Sequence, residues 1–330
     1  MAEFEAISQG LTCKFRESLF TSREEVCGGM KTIKLSCIAL LLLAFSFDAA
    51  FAEVSPERFF EMLESNDIGG VRLAIRDGFE IDKIYKKERE SEKTPLLEAI
   101  KLANPGMARM LLENGADVEF ATADDMTPLL WSIFWAAAGS VPNATPQRKK
   151  DSMEIFDLML EYKADVNYVN IFGWCPLGYA ANSPYYDCAL PLAKKLLDAG
   201  ADPNIPLDKS GLKAKAMRLM PSAPPSSFDN LETSDWMPPL MWALLGAFAE
   251  QGRARENRAE LIKLLLDAGA DPNGRSKAGT PLHVAAAIDY ELSKMLLDAG
   301  ADKTAKDEDG KTPFDVAREH MNILAMALLF

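Results

Sequence analysis

Apolar and polar residues alternate along most of the chain in a unit that returns about every thirty residues. In Tyr290–Asp298 the apolar residues recur at helical spacing: Leu292, Met295, Leu296 and Leu297. The small residues Ala285 and Ala286 come just before this segment and allow a neighbouring helix to approach closely. The pattern predicts two short helices per unit, each with one apolar face. Because one helix pair cannot bury that face alone, the units must stack on each other.

Two motifs mark the beginning and the end of each unit. The closing motif, LLDAGADPN in its fullest form, recurs with variations at 71–82, 111–117, 160–167, 196–204, 265–273 and 296–302. An opening motif, Thr-Pro-Leu or a close variant, precedes most of these copies: Thr94–Leu96, Thr127–Leu129, Cys175–Leu177, Pro238–Leu240, Thr280–Leu282 and Thr312–Phe314. Their regular order predicts a repeat protein.

The chemistry of the two motifs predicts where the helices begin and end. A threonine hydroxyl caps free amides at a helix start, and the proline after it takes the first helical position, where its missing N–H costs nothing. A glycine in the left-handed conformation ends the second helix of most units: Gly78, Gly115, Gly200, Gly269 and Gly300. Lys163 stands at the equivalent place in a central unit. We therefore predict a positive φ at Lys163.

The combination of TPLH near the start of a unit and LLxxGAD near its end resembles the ankyrin repeat. The resemblance implies an all-α solenoid of stacked helix–turn–helix units with short β-hairpin fingers, the segments that join one repeat to the next. It covers 53–330 as about six repeats and a terminal partial one. The first repeat lacks the opening motif, as an end unit can. The resemblance also implies that His283 is structural and that the chain binds a protein rather than catalyses a reaction.

The central repeats carry extra segments. We place inserts at 139–151, 205–235 and 247–257, with a shorter one around 182–187. The 205–235 insert contains a possible short helix, Leu212–Met220, followed by a Pro/Ser-rich stretch that is typical of an extended linker. Inserts in a solenoid form loops, often on its binding side. The alternative is neutral lengthening of loops, which costs little free energy.

Aromatic residues are concentrated in these same repeats. In the ankyrin family the residue just after the opening motif lies on the concave face, and in repeats two to six it is Glu98, Trp131, Tyr179, Trp242 and Val284. Repeat three adds outward-facing aromatics, and the finger before repeat four is apolar. Because Trp and Tyr are enriched in interface hot spots, we predict a protein-binding surface, called the aromatic face below: Trp131, Phe134, Trp135, Ile171, Phe172, Trp174, Tyr179 and Trp242.

Two interpretations of the aromatic face stay open at the level of sequence. Its residues either contact a partner, or the inserts fold over them as internal cover, with Met217, Leu219, Met220, Phe228 and Trp236 supplying the apolar contacts. Both interpretations are compatible if the insert is a displaceable lid that a partner can replace.

Residues 30–52 have the features of a cleaved signal peptide. Lys31 and Lys34 precede an apolar run of roughly 13 residues, which is shorter than the roughly 20 that span a bilayer. A small-x-small cleavage pattern ends at Ala52. We predict cleavage after Ala52 and a periplasmic or secreted protein without a stable membrane anchor.

Residues 1–29 mix acidic and basic side chains without an apolar pattern, unlike the short basic start of a signal peptide. We predict that translation starts at Met30 and that 1–29 are an over-extended N-terminus. The alternative is a genuine extension that hides the signal and keeps the protein in the cytosol.

Charge and chemistry narrow the function further. A formal net charge of −13 disfavours nucleic acid as a partner and favours a basic protein. No catalytic or metal-binding motif is present, so we predict no enzyme activity, cofactor or metal. Asp307–Gly310 resembles a calcium loop but lacks the downstream glutamate. Cys175 and Cys188 fall near distant ends of two antiparallel helices, so we predict free buried thiols.

The sequence thus predicts an exported repeat protein that holds another protein on its concave aromatic face. One version is an inhibitor or immunity-type protein that neutralises a toxin or enzyme. The alternative is an architectural solenoid that associates with itself through its apolar C-terminal segment, including Leu328, Leu329 and Phe330, without a separate ligand.

Overall fold

The computed structural model of the protein describes residues 54–85, 93–138, 145–183, 186–205, 209–219, 237–248 and 253–330. The predicted N-terminal extension and signal peptide lie outside these residues. In the described ranges fourteen helices form seven consecutive pairs, and one further helix stands between the fourth and fifth pairs. The pairs are α1 Pro56–Glu64 and α2 Ile68–Arg76; α3 Pro95–Lys101 and α4 Pro105–Glu113; α5 Pro128–Ala138 and α6 Pro146–Glu161; α7 Pro176–Ala181 and α8 Tyr186–Asp198; α10 Pro239–Phe248 and α11 Arg253–Asp267; α12 Pro281–Ile288 and α13 Tyr290–Asp298; α14 Pro313–Glu319 and α15 Ile323–Leu329. The single helix is α9, Lys209–Leu219.

The helix pairs stack in sequence order, as predicted. The first helix of each pair packs against the first helix of the next, from α1 through α3, α5, α7, α10 and α12 to α14. One apolar core runs through the stack, from Phe59 in the first pair to Leu329 in the last. The all-α solenoid is therefore confirmed, with about six repeats and a short terminal one.

The opening motifs begin the first helices in the expected way. Thr94 accepts a hydrogen bond from Leu97 N at 3.2 Å, and Pro95 takes the first helical position. His283 has the structural role implied by the resemblance, because Thr280 N donates to its Nδ1 at 3.1 Å and its Nε2 lies 3.0 Å from Lys311 O in the next finger. This histidine therefore ties repeat six to repeat seven.

The fingers differ from the predicted β-hairpins. Among the described residues they are turns with isolated antiparallel bridges, Tyr85 to Lys93 and Ser276 to Gly279, and no strand forms. The short connections between closing and opening motifs leave room for a turn but not for a ladder of paired residues.

A column of hydrogen bonds joins the closing motifs of successive repeats. The side chain of Asn204 donates from Nδ2 to Gly269 O at 2.7 Å and accepts from Asp271 N at 2.7 Å. Asn167 and Asn273 make the same two bonds to the repeats that follow them. The asparagine that ends LLDAGADPN therefore fixes each repeat to the next, a role that the sequence analysis missed.

Carboxylates replace the asparagines in the first two repeats. Asp117 N donates to Asp82 Oδ1 at 2.8 Å, and Asp165 N donates to Glu119 Oε1 at 2.6 Å. An ionised carboxylate only accepts hydrogen bonds, so these junctions lack the second bond that an asparagine makes. Burial raises the pKa of Glu119, the hydrogen bond from Asp165 N offsets part of this rise, and the charges of Asp165 and Asp117 add to it.

We expect Glu119→Gln to raise the free energy of unfolding by about 0.5 kcal/mol at pH 7. The folded-state pKa of Glu119 is raised above its unfolded value of about 4.3, so the stabilisation from its protonated form is full below that value. It is lost as the pH rises through the folded-state pKa. Urea denaturation at several pH values measures the change, with the exposed Glu154→Gln as control. A gain at pH 3.5 equal to that at pH 7 would contradict this assignment.

Lys163 has the predicted left-handed conformation, with φ +60°, where the other closing motifs have glycine. A side chain at positive φ costs roughly 1 kcal/mol, and Lys163 is exposed, so nothing else holds it there. We expect Lys163→Gly to raise the melting temperature and to stabilise the protein by about 1 kcal/mol. Lys163→Ala is the matched control, because it removes the charge but keeps Cβ. Equal gains for both variants would mean that the side chain, not the backbone, is responsible.

Candidate aromatic interaction surface

The first helices of repeats three to five carry the predicted aromatic residues in one register. Trp131, Tyr179 and Trp242 each stand four positions after the residue that precedes the helical proline, in α5, α7 and α10. These three helices pack consecutively against one another. All three rings are partly exposed and rest on the apolar core, so their inner edges are fixed and their outer edges face solvent.

The ring contacts divide the aromatic face into two groups. In the α5 group, Phe134 lies edge-on to Trp131 and Trp135, with centroid distances of 5.6 and 5.3 Å. In the finger group, Trp174 stacks on Trp242 at 4.3 Å and 24°, and meets Tyr179 edge-on at 5.4 Å. The finger that carries Trp174 therefore folds onto the two first helices that follow it. The register alone predicts a single row and does not reveal this grouping.

Exposure differs among the predicted contact residues. Phe172 is 55 % exposed and Phe134 is 38 % exposed, which is unusual for phenylalanine. Ile171 is only 1 % exposed. Its inclusion in the contact surface is therefore corrected: its side chain is held inside the finger, and its backbone N donates to Asp125 Oδ2 at 2.8 Å.

The predicted insert helix exists, as α9, and two of the five residues expected to cover the aromatic face from this insert are exposed. Met217 and Leu219 are 41 % and 36 % exposed, while Met220, Phe228 and Trp236 lie outside the described residues. Lys215 attaches α9 to two fingers instead, through the buried Asp125 at 2.8 Å and Val169 O at 3.2 Å.

A buried arginine holds the two first helices of the finger group together. Arg258 in α11 is 1 % exposed, and its guanidinium donates to Ala181 O at 2.7 Å and Ser183 O at 2.9 Å. These carbonyls end α7, where the helix dipole favours a cation. Gly246 in α10 leaves the space, since a Cβ there would lie 2.7 Å from Arg258 Cζ. One side chain thus spans α7, α10 and α11.

Two titratable groups near the aromatic rings are partly or fully buried. Burial raises the pKa of the Tyr179 hydroxyl and of the Cys175 thiol, so both stay protonated at neutral pH. Cys175 and Cys188 are buried thiols that form no disulfide with each other, as predicted. Within the described ranges no three acidic, histidine or cysteine side chains come together to hold a metal ion.

Another concavity lies away from the aromatic face, between the second helices α11 and α13. It has a volume of about 630 Å³ and is lined by Lys263, Asp267, Glu291, Lys294, Met295 and Asp298, among others. Its charges are mixed, and it is open to solvent, so it lacks the enclosed apolar lining of a small-molecule site. In the part of the chain with described coordinates, no helix has the length and hydropathy needed to cross a bilayer.

The repeat pattern agrees with known families. The family described as "Ankyrin repeats (3 copies)" matches residues 251–330, and the family described as "Ankyrin repeat" matches residues 91–123. The chain carries ankyrin repeats. Among solved structures, the human ASB11 ankyrin repeat domain is similar over 84 % of this chain and 98 % of that chain, at 21 % identity and a TM-score of 0.51. An ankyrin repeat domain from Acinetobacter baumannii AYE is similar over 75 % of this chain and 100 % of that one, at 23 % identity and 0.52. At these identities the two structures support the fold alone.

Proposed function

We propose that this ankyrin-repeat protein is exported and binds another protein through its aromatic face. Ankyrin repeats generally mediate protein–protein interaction and are typically non-enzymatic. The observation that carries the proposal is the exposure of two aromatic ring groups on the first helices and one finger of three consecutive repeats. Such a patch of aromatic rings is typical of an interaction site.

The exposed phenylalanines would supply the outermost contacts and the tryptophans the rigid base. Trp174 and Trp242 hold each other by stacking, so little side-chain entropy is lost when a partner covers them. Arg148 lies with its Cζ 5.8 Å from the ring of Trp135, which gives the α5 group a basic neighbour. The overall charge of −13 favours fast encounter with a basic partner. An inhibitor or immunity-type protein fits this arrangement.

The test is affinity capture from the exported fraction with surface variants that leave the core intact. Phe134→Asp removes the outer ring of the α5 group, and Phe172→Asp removes the exposed ring on the same finger as Trp174. We expect at least one of them to weaken capture by about 30-fold, the equivalent of a hot spot of about 2 kcal/mol. The control is Phe330→Asp, at the far end of the stack and 94 % exposed. A partner retained equally by all four proteins would rule out the aromatic face.

Export has its own test. The proposal places the mature N-terminus at Glu53, after the signal peptide 30–52. N-terminal sequencing of the exported protein would give a sequence that begins near Glu53. A mature protein that begins near Met1, or one that stays in the cytosol, would contradict it.

Self-association is a second candidate, favoured by one observation at the C-terminal end of the stack. Four apolar residues there are strongly exposed: Met321 at 82 %, Ile323 at 75 %, Leu324 at 65 % and Phe330 at 94 %. The surface differs from the one expected from sequence, because Leu329 is 4 % exposed and packs into the core. A second copy would cover this surface. Sedimentation of wild type beside Ile323→Asp/Leu324→Asp tests it, and a wild type that stays monomeric at high concentration would exclude it.

A further inference from the structure

The insert helix α9 is basic, in contrast to the acidic chain that carries it. It holds Lys209, Lys213, Lys215 and Arg218 and has no acidic residue. Two apolar side chains one turn apart, Leu212 and Ala216, are buried at 8 % and 0 % exposure. These two buried side chains form one narrow stripe on the helix, and Lys215 lies beside it.

The ammonium group of Lys215 is surrounded by three oxygen acceptors and an aromatic ring. Its Nζ lies 2.8 Å from Asp125 Oδ2, 2.9 Å from the Tyr168 hydroxyl oxygen and 3.2 Å from Val169 O. The same Nζ lies 4.0 Å from the centroid of the Tyr168 ring. An ammonium has three N–H donors, and the site offers three oxygen acceptors together with an aromatic face, which attracts a cation.

The acceptor carboxylate is held in place at a conformational cost. Asp125 is 1 % exposed and has φ +59°. The equivalent finger positions are Gly173 and Gly310, with φ +79° and +76°. Asp125 also accepts hydrogen bonds from the Tyr168 hydroxyl and from Ile171 N. Residues held in such sparsely populated conformations cluster at ligand sites, and here two hydrogen bonds and the ion pair to Lys215 hold the carboxylate.

The other side of the contact is weakly held. Helix α9 has 11 residues, which is short for a helix to be stable by itself in water. Its other apolar residues, Ala214, Met217 and Leu219, are exposed. Lys215 anchors the helix to the two fingers.

We propose that the fingers of repeats three and four form a binding pocket for a primary ammonium group, that Lys215 fills this pocket in cis, and that a lysine-bearing basic peptide of a partner takes its place. The pocket lies on the finger that also carries Phe172 and Trp174, so release of α9 exposes a lysine site beside those aromatic rings. The proposal does not depend on the aromatic face being a binding surface.

The first experiment fills the pocket with a small ammonium. Lys215→Ala in the full chain leaves the Asp125 carboxylate without its cation, and n-butylammonium chloride should then raise the melting temperature in a saturable way. Sodium chloride at equal ionic strength and n-butanol are the solute controls. Lys263→Ala, which breaks an exposed ion pair with Asp267, is the protein control. A rise confined to Lys215→Ala and absent from Lys215→Ala/Asp125→Asn supports the pocket, and equal responses of Lys215→Ala and Lys263→Ala overturn it.

The second experiment supplies the helix in trans. A labelled peptide of residues 209–219 with blocked ends should bind the Lys215→Ala protein at least about tenfold more tightly than wild type, because a charge-assisted contact is regained only in the variant. The same peptide with norleucine in place of the lysine at position 215 should lose this difference. Equal binding of both peptides would overturn the proposal.

Two further measurements separate the test of the ammonium pocket from effects on folding and from the proposed function of the aromatic face. In wild type, excess peptide should speed amide hydrogen exchange in α9 and in no other helix, and unchanged exchange at saturating peptide would overturn the proposal. Phe172→Asp should keep the response to n-butylammonium in the Lys215→Ala background. Failure of the aromatic face and failure of the ammonium pocket are therefore distinguishable.

Discussion

Arg258→Met lowers the free energy of unfolding by about 3 kcal/mol, the expected result of removing two charge-assisted hydrogen bonds from a buried site. Ala181 O and Ser183 O each accept a hydrogen bond from the Arg258 guanidinium. Methionine fills much of the same volume but donates nothing, so both buried carbonyls lose their bond to the guanidinium. Urea denaturation followed by far-ultraviolet circular dichroism measures the loss.

Two controls separate this effect from a general loss of charge. Arg258→Lys keeps the positive charge, but its ammonium lacks the planar fork with which arginine reaches two diverging carbonyls. We therefore expect an intermediate loss of stability. Arg76→Met removes an exposed arginine, with 73 % of its side chain accessible, and should change stability by less than about 0.5 kcal/mol. A loss below about 1 kcal/mol for Arg258→Met would show that water satisfies the two carbonyls.

Gly246→Ala is the second large effect, a destabilisation of about 2 to 3 kcal/mol. Alanine is normally the better helix former, so the expected sign opposes the local preference of α10. The added Cβ would lie 2.7 Å from Cζ, 2.9 Å from Nη2 and 3.0 Å from Nη1 of Arg258. The guanidinium cannot retreat without breaking its bonds to Ala181 and Ser183.

A double-mutant cycle assigns the clash to Arg258. In an Arg258→Ala background the space next to residue 246 is empty, so Gly246→Ala should cost less than about 0.5 kcal/mol or even stabilise α10. Additive losses in the double variant would mean that the two residues act independently. Thermal and urea unfolding of the four proteins of the cycle give the interaction energy.

The helix pairs, their order and their ends could be predicted from sequence because each depends on local chemistry. A proline at the first helical position and a glycine after the last turn mark the helix ends in the local sequence. Lys163 has the left-handed conformation predicted from its position in the motif, although glycine is missing there. The register of Trp131, Tyr179 and Trp242 was likewise predictable, because stacked repeats place equivalent positions side by side.

Contacts between distant segments could not be read in the same way. Arg258 stands in RARENRAELIKLLLD beside other arginines, and it is a core residue only because Gly246 leaves space for its guanidinium next to the end of α7. Sequence spacing also does not show that Trp174 stacks on Trp242, or that Lys215 forms an ion pair with Asp125. The sequence gives one indication of the Lys215 contact: Asp125 stands where two other fingers have glycine.

The column of closing motifs changes from carboxylates in the first two repeats to asparagines in the later ones. This change predicts the order in which the repeats unfold locally. Asp82 and Glu119 each hold the next repeat by one bond, whereas Asn167, Asn204 and Asn273 hold it by two. Local fluctuations should therefore separate the N-terminal repeats first, and amide exchange in α2 and α4 should be faster than in α8 and α11. A molecule that has lost its first two repeats in this way still presents Tyr179, Trp174 and Trp242 intact, so partial unfolding and loss of the finger group are separate events.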